Sequence, residues 1–180
     1  MPNAAKNMKI NINELLNNTA KVKAGDRVFL SGAIYTARDA AHKRIIEMLS
    51  SGKKSPFELK DSAIYYCGPA PAKPGQVIGA CGPTTSSRMD IFTPRMLKEG
   101  VKILIGKGKR SEEVVEAIKK NKAVYLAATG GVAALLSKTV TSAKLLAFKD
   151  LGPEAIYKLE VKDMPLIVAV DIRGNDVFSD

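Results

Sequence analysis

Four hydroxyl side chains in a row, closed by an arginine, stand at Gly82-Pro83-Thr84-Thr85-Ser86-Ser87-Arg88-Met89-Asp90. Hydroxyls and loop amides donate to an anion, and an arginine grips a carboxylate through two parallel hydrogen bonds. The same row also suits a Ser/Thr-rich turn whose hydroxyls bond their own backbone. Residue types alone leave both readings open. Upstream, Val77-Ile78-Gly79-Ala80-Cys81 is a short apolar run that predicts a buried strand end. Downstream, Thr93-Pro94 supplies a cap residue and a proline at the first helical position. The hydroxyls are therefore expected on a loop leaving a strand, where open α/β sheets place ligand sites.

Two further stretches carry candidate chemistry. In Tyr35-Thr36-Ala37-Arg38-Asp39-Ala40-Ala41-His42-Lys43-Arg44, Thr36 and Asp39 have capping-box spacing, and the helix runs through Ile45, Ile46 and Leu49 to Gly52. Arg38 then falls in the first turn, where a cation opposes the helix dipole. A residue placed against local preference is a weak pointer to function; a surface arginine paired with a nearby acid is the other reading. His42, the single histidine, has no acid–nucleophile pattern around it and is expected to pack. Gly106-Lys107-Gly108-Lys109-Arg110 leaves the strand Val101–Ile105. It fails as a phosphate loop because Arg110 takes the Ser/Thr place. A lysine between glycines can still approach an anion closely, and a solvated basic turn fits equally. Thr129-Gly130-Gly131, after the strand Ala123–Ala128, offers free amides or simply a tight turn.

The elements that must position these residues alternate. Met8–Ile12 reads as an edge strand, Asn13–Lys21 as a short helix, and Arg27–Ile34 and Ser62–Cys67 as strands. Gly68–Gly75, rich in proline, reads as a rigid loop beside the hydroxyl stretch. Pro94–Lys98 and Ser111–Lys120 read as helices. Leu145–Phe148, Ile156–Val161 and Pro165–Asp171 complete the strands. The class is α/β, and three anion-friendly loops each follow a strand.

Composition narrows the partners. The 180 residues suit one domain, 1–180, with 1–7 as a flexible tail. A net charge of +10 favours anionic partners or simply a lysine-rich soluble surface. A basic nucleic-acid-binding domain is one alternative. Five Phe, five Tyr and no Trp give it few stacking platforms. The two cysteines, Cys67 and Cys81, lack CxxC spacing and are too few to ligate zinc or an iron–sulfur cluster alone. No metal ligands are assigned, and a reducing cytoplasm is expected. The N-terminus has no apolar h-region, and no apolar run approaches a membrane span.

Ser31-Gly32 with Thr36-Ala37-Arg38-Asp39-Ala40-Ala41-His42, Tyr66 with Gly68-Pro69, the Gly82–Asp90 stretch and Gly106-Lys107-Gly108 occur together in one order. In that combination the chain resembles the β subunit of two-subunit class I fumarate hydratase, equivalent to the C-terminal domain of single-chain forms; L-tartrate dehydratase β subunits are close relatives. The resemblance covers about Gly25 to Asp171. It implies a swivelling β/β/α domain and a partner α subunit that carries a [4Fe–4S] cluster, with the active site between the subunits. It also implies a dicarboxylate substrate, Thr84 as the proton-transfer residue, and Arg38, Thr85, Arg88 and Lys107 as substrate-binding positions. Asp90 is expected to be structural.

Overall fold

A computed structural model describes residues 4–128 and 133–179. Two long antiparallel strands organise it. β2 (Arg27–Thr36) lies against β7 (Ile156–Val170), from Arg27 opposite Ile167 to Tyr35 opposite Lys158. On its other edge β2 takes β1 (Asn7–Asn11) over its first half and β3 (Ser62–Tyr65) at its end, both parallel. β4 (Val101–Gly106) and β5 (Val124–Ala127) continue in parallel, and β5 pairs antiparallel with the far part of β7. The ring β2-β3-β4-β5-β7 thus closes as a five-strand barrel, with β1 and β6 (Val140–Ala147) at the free edges. Helices α1 (Ile12–Asn17), α2 (Asp39–Ser50), α3 (Thr93–Lys98), α4 (Glu112–Lys120) and α5 (Ala133–Lys138) complete an α/β architecture.

The period of two along each strand explains the apolar runs. Ala63, Tyr65, Ile103, Ile105, Val124 and Leu126 contribute to one core, which also holds Val28, Leu30, Ile34 and Leu159. Ile64, Leu104 and Tyr125, between them in sequence, face a second core with Ala41 and Ile45 of α2 and Val114 and Ile118 of α4. Parallel strands buried on both faces read as continuous apolar segments rather than alternating ones.

Several expectations change. Val77–Cys81 is irregular, and Val77 is half exposed. The segment returns along its own loop instead, with Ala70 N–H donating to the Ala80 carbonyl and Gly79 N–H to the Ala70 carbonyl. Ile156–Val161 and Pro165–Asp171 are not two strands; both lie in β7, bent where Asp163 adopts φ 51° and the register with β2 shifts. Leu145–Phe148 begins earlier, as β6. The capping box is absent because Thr36 is the last residue of β2, its hydroxyl accepting from Tyr157 N–H at 3.0 Å. Arg38 is the N-cap of α2 rather than part of its first turn. The polar stretch 1–7 is tied down at its end: Lys6 N–H donates to Asp26 Oδ1 at 2.9 Å, and β1 starts at Asn7. Thr129-Gly130-Gly131 lies outside the described residues.

His42 packs as expected, 1% exposed on α2 with its ring stacked near Phe92 and edge-on to Tyr66. Nδ1 lies 2.8 Å from the Arg38 carbonyl, which can only accept, so the neutral ring carries its proton there. Burial pushes His42 down to about 4, with the charge of Arg110 acting in the same direction. The unfolded histidine binds a proton below about pH 6.5 and the folded one does not until about pH 4, so stability falls as pH drops through that window, by on the order of 3 kcal/mol. Denaturant midpoints measured from pH 7 to 4 should show this fall in the wild type. His42→Gln should be less stable at pH 7 and lack that part of the slope.

Candidate active site

Because β2, β3 and β4 are parallel, their C-terminal ends share one edge of the barrel. Each end delivers part of the site. β2 leads to Arg38, β3 to Tyr66-Cys67-Gly68 and β4 to Lys107. The hydroxyl stretch arrives differently, contrary to the expectation of a loop leaving a strand. It comes back from the excursion 68–81, and Thr84 N–H donates to the Tyr66 carbonyl at 2.7 Å. Thr85 then forms a parallel bridge with Lys107. Next to it, Ser86 N–H donates to the Lys107 carbonyl at 3.0 Å, and Lys107 N–H donates to Ser86 Oγ at 2.9 Å.

This seating requires Gly106. A Cβ there would collide with Ser86 Oγ and lie 2.7 Å from Tyr66 Cδ2. Ser86, buried and 2.8 Å from the Tyr125 hydroxyl, is the member of the hydroxyl row turned inward. Thr85 and Arg88 are exposed, and Thr84 is half-buried. The row is thus divided: Ser86 anchors, while its neighbours remain available for chemistry.

The two arginines meet over one carboxylate. Arg88 Nε and Nη2 lie 3.0 and 2.8 Å from Asp39 Oδ2. Arg38 Nε lies 3.8 Å from Asp39 Oδ1 and 4.0 Å from Glu154 Oε1. Arg38 also packs over Gly68, where a Cβ would come 3.0 Å from Arg38 Cδ. Arg38, Thr84, Thr85, Arg88 and Lys107 therefore sit on adjoining segments at one barrel edge. A cleft of about 480 Å³ opens beside them, lined by Thr85, Lys107, Gly108, Ala127, Ala128 and Phe178 among others. Thr85 and Lys107 line this cleft; Arg38, Thr84 and Arg88 do not.

Beneath the site stands a residue the sequence reading assigned to a basic turn. Arg110 is 2% exposed. Its Nε donates to Asp90 Oδ1 at 2.7 Å and its Nη2 to Thr93 Oγ1 at 2.7 Å and the Tyr66 hydroxyl at 3.2 Å. The guanidinium lies 5.2 and 4.9 Å from the ring centroids of Tyr66 and Tyr125. Burial works against the charge, and Tyr66 and Asp90 outweigh it, so Arg110 stays cationic. Asp90 also accepts from Ser111 N–H at 2.8 Å, next to the N-terminus of α4. Asp90 is structural, as expected, and it fixes the chain just after Arg88. Nothing in the Lys107–Arg110 stretch separated this buried arginine from its exposed neighbours. Asp39 likewise shows only capping-box spacing from Thr36 in the sequence.

Cys67 and Cys81 are free and fully buried, their sulfurs 3.1 Å apart. The contact with Cys81, followed by burial, pushes the Cys67 thiol well up, which marks Cys67 as a packing group rather than a nucleophile. Among the described residues, no group of three or more His, Cys, Asp or Glu side chains is placed to hold a metal ion. The sequence holds two cysteines, and iron–sulfur sites use about four. Among the described residues no helix is long and apolar enough to cross a membrane.

Fold and site together define an α/β barrel domain that gathers guanidinium, ammonium and hydroxyl groups at one edge, a surface suited to a small polyanion. The chain belongs to the Fumarase C-terminus family, which matches residues 1–180. It is 45% identical over 166 residues to "Putative L(+)-tartrate dehydratase subunit beta" of Methanocaldococcus jannaschii, covering 89% of this chain and 85% of that one. It is 40% identical over 174 residues to Fumarate hydratase 2 of Leishmania major, covering 96% of this chain and 31% of the relative. It is 38% identical over 167 residues to the aerobic class I fumarate hydratase of Escherichia coli K12, covering 92% and 30%. The chain thus spans about a third of the length of these fumarate hydratases and most of the tartrate dehydratase subunit. Neither the geometry nor these relatives favour a nucleic-acid-binding role.

Gly106→Ala tests the seating of the hydroxyl stretch. The clash should cost about 1–3 kcal/mol, a Tm loss of about 2–12 °C for a chain this size. Gly108→Ala, with nothing within 4 Å of its Cβ but a φ of +83°, should show only a backbone cost of roughly 1 kcal/mol. Equal thermal shifts in the two variants would show that the Ser86 approach is not tight.

Proposed function

We propose that this chain is the β-type subunit of an iron–sulfur hydro-lyase that reversibly hydrates fumarate to malate at a site completed by a partner α subunit. The observation that carries the proposal is the gathering of Arg38, Thr84, Thr85, Arg88 and Lys107 at one barrel edge. In this reading residues 1–180 form one swivelling β/β/α-type domain working in the cytoplasm. The [4Fe–4S] cluster belongs to the partner; this chain has two cysteines, and such sites use about four.

The chemistry assigned to this chain is electrostatic and prototropic. Removing the proton beside a carboxylate places extra negative charge on that carboxylate in the transition state, and fixed cations aimed there lower the barrier. Arg38, Arg88 and Lys107 supply that charge, and the planar guanidiniums orient the dicarboxylate. Thr85, exposed beside Lys107, adds a hydroxyl donor at the cleft. Thr84, held by its backbone to Tyr66, is the proton-transfer residue. A threonine hydroxyl is a poor base alone, so a partner carboxylate or a water must relieve it of its proton.

The same site supports L-tartrate as substrate, a reading favoured by the 45% identity to the archaeal protein of that name. Activity on fumarate and tartrate, assayed with the partner subunit present, separates the two.

Mixing this chain with a cluster-loaded α subunit should produce hydratase activity, while the chain alone should be folded and inactive. Turnover by the isolated chain would overturn the two-subunit reading. Thr84→Val keeps the branched shape without the hydroxyl, so kcat of the complex should fall by about 10²–10⁴ with KM little changed. A near-normal kcat with a lowered Tm would instead make Thr84 a turn cap. Arg88→Lys should raise KM and lower kcat despite the retained charge, because an ammonium lacks the two-pronged contact. Steady-state kinetics that match the wild type would remove Arg88 from substrate binding.

A further inference from the structure

Two guanidiniums close together repel, and each offers two edges for a carboxylate: the side-on Nε/Nη edge and the end-on Nη1/Nη2 edge. In this chain one acid faces the Nε side of both. Asp39 Oδ2 takes the Nε and Nη2 of Arg88, at 3.0 and 2.8 Å, and Asp39 Oδ1 faces Arg38 Nε at 3.8 Å. That last pair is buried and unpartnered: neither Arg38 Nε nor Asp39 Oδ1 has another hydrogen bond. Asp39 is only partly exposed, at 32%, and it opens α2 directly after Arg38, so its backbone is fixed by the helix. Glu154, 4.0 Å from Arg38 Nε, is itself engaged by Ala40 N–H at 3.2 Å.

We infer that Asp39 is a positioning residue for the dicarboxylate site: it holds Arg88, and through the facing Nε also Arg38, by their side-on edges, leaving the end-on Nη edges for substrate carboxylates. The inference rests on the hydro-lyase reading for its kinetic consequence but not for its geometry. It also reverses the sign expected from charge alone. A fixed carboxylate beside the binding cations should repel a dicarboxylate, so removing it should tighten binding if Asp39 did nothing else. If Asp39 orients the arginines, removing it should weaken binding, because two untethered guanidiniums repel and lose the shared alignment on which bidentate contact depends.

The test uses Asp39→Asn, and Asp39→Ser as a second variant without a carboxylate, in the complex with the cluster-bearing partner. KM for the dicarboxylate should rise about tenfold or more in both, with kcat changed by less than about threefold. Asp150→Asn is the control, since Arg44 makes a comparable pair with Asp150, at 2.8 and 2.8 Å, away from the site; its KM should not move. An unchanged or lowered KM in the Asp39 variants overturns the proposal. A second readout needs no activity: in the isolated chain, the Nε–H proton NMR signal of Arg88 should exchange slowly in the wild type and rapidly in Asp39→Asn. Rapid exchange in the wild type also overturns it. If the wild-type complex had no hydratase activity, the functional reading would fall, and the NMR comparison would still decide the role of Asp39.

Discussion

The site depends on one close approach: the backbone of β4 at Gly106 admits the hydroxyl of Ser86. With no Cβ at Gly106, Ser86 Oγ can reach Lys107 N–H, and Ser86 N–H can reach the Lys107 carbonyl. Those two bonds join a long irregular excursion to the edge of the barrel. Without them, the hydroxyl row would be a surface turn with its own local hydrogen bonds. With them, Thr85 lies beside Lys107 and Thr84 beside the end of β3. The contact is enforced from below by the Tyr66 and Tyr125 rings, which pack in the second core.

Arg110 makes that arrangement rigid. A buried guanidinium is costly unless its charge is paired and its donors are engaged. Here Asp90 pairs the charge through Nε, Thr93 and the Tyr66 hydroxyl accept from Nη2, and two aromatic faces cover the group, while Nη1 is left without a hydrogen-bond partner. The cation therefore connects the segment after Arg88 to the core between β3 and β5. Breaking one partner would strand a charge in an apolar environment, a stronger constraint than a surface ion pair supplies. The cations above it are held differently: exposed Arg88 and partly buried Arg38 gather around Asp39, and solvent weakens the Arg88 pair, so that geometry matters more there than energy.

This division of labour agrees with the chemistry proposed for the site. Stabilising a doubly charged substrate and the further charge of its transition state calls for cations that need not reorganise when charge develops. His42, Cys67 and Cys81 are packed in the interior, while Arg88 and Thr85 stay exposed at the barrel edge.

Much of this was legible in the residues. Apolar runs located β3, β4 and β5 because parallel strands buried on both faces need continuous hydrophobicity. The Thr-Ala-Arg-Asp stretch, the hydroxyl row and Gly-Lys-Gly stood out as residue types able to meet an anion, and it was the family resemblance they carry that implied Arg38, Thr84, Thr85, Arg88 and Lys107 as site positions. The failures share one cause. Val77–Cys81 has strand composition, but its backbone groups bond within the excursion, a choice made by distant segments. Ile156–Val161 and Pro165–Asp171 look like two strands because the bend at Asp163 interrupts the pattern, although β2 runs past both. Thr36 has a cap's chemistry but belongs to a strand end. Arg110 and Asp39 look like ordinary surface charges, since burial and ion pairing across 20 or 49 residues leave no local signature. The sequence by itself determined the class of fold and which polar residues are available for chemistry, because hydrophobic period and residue type are local properties. The tertiary structure alone decided which hydroxyl anchors and which remain free, and which acid gathers the arginines, because those depend on contacts between segments that only the closed barrel brings together.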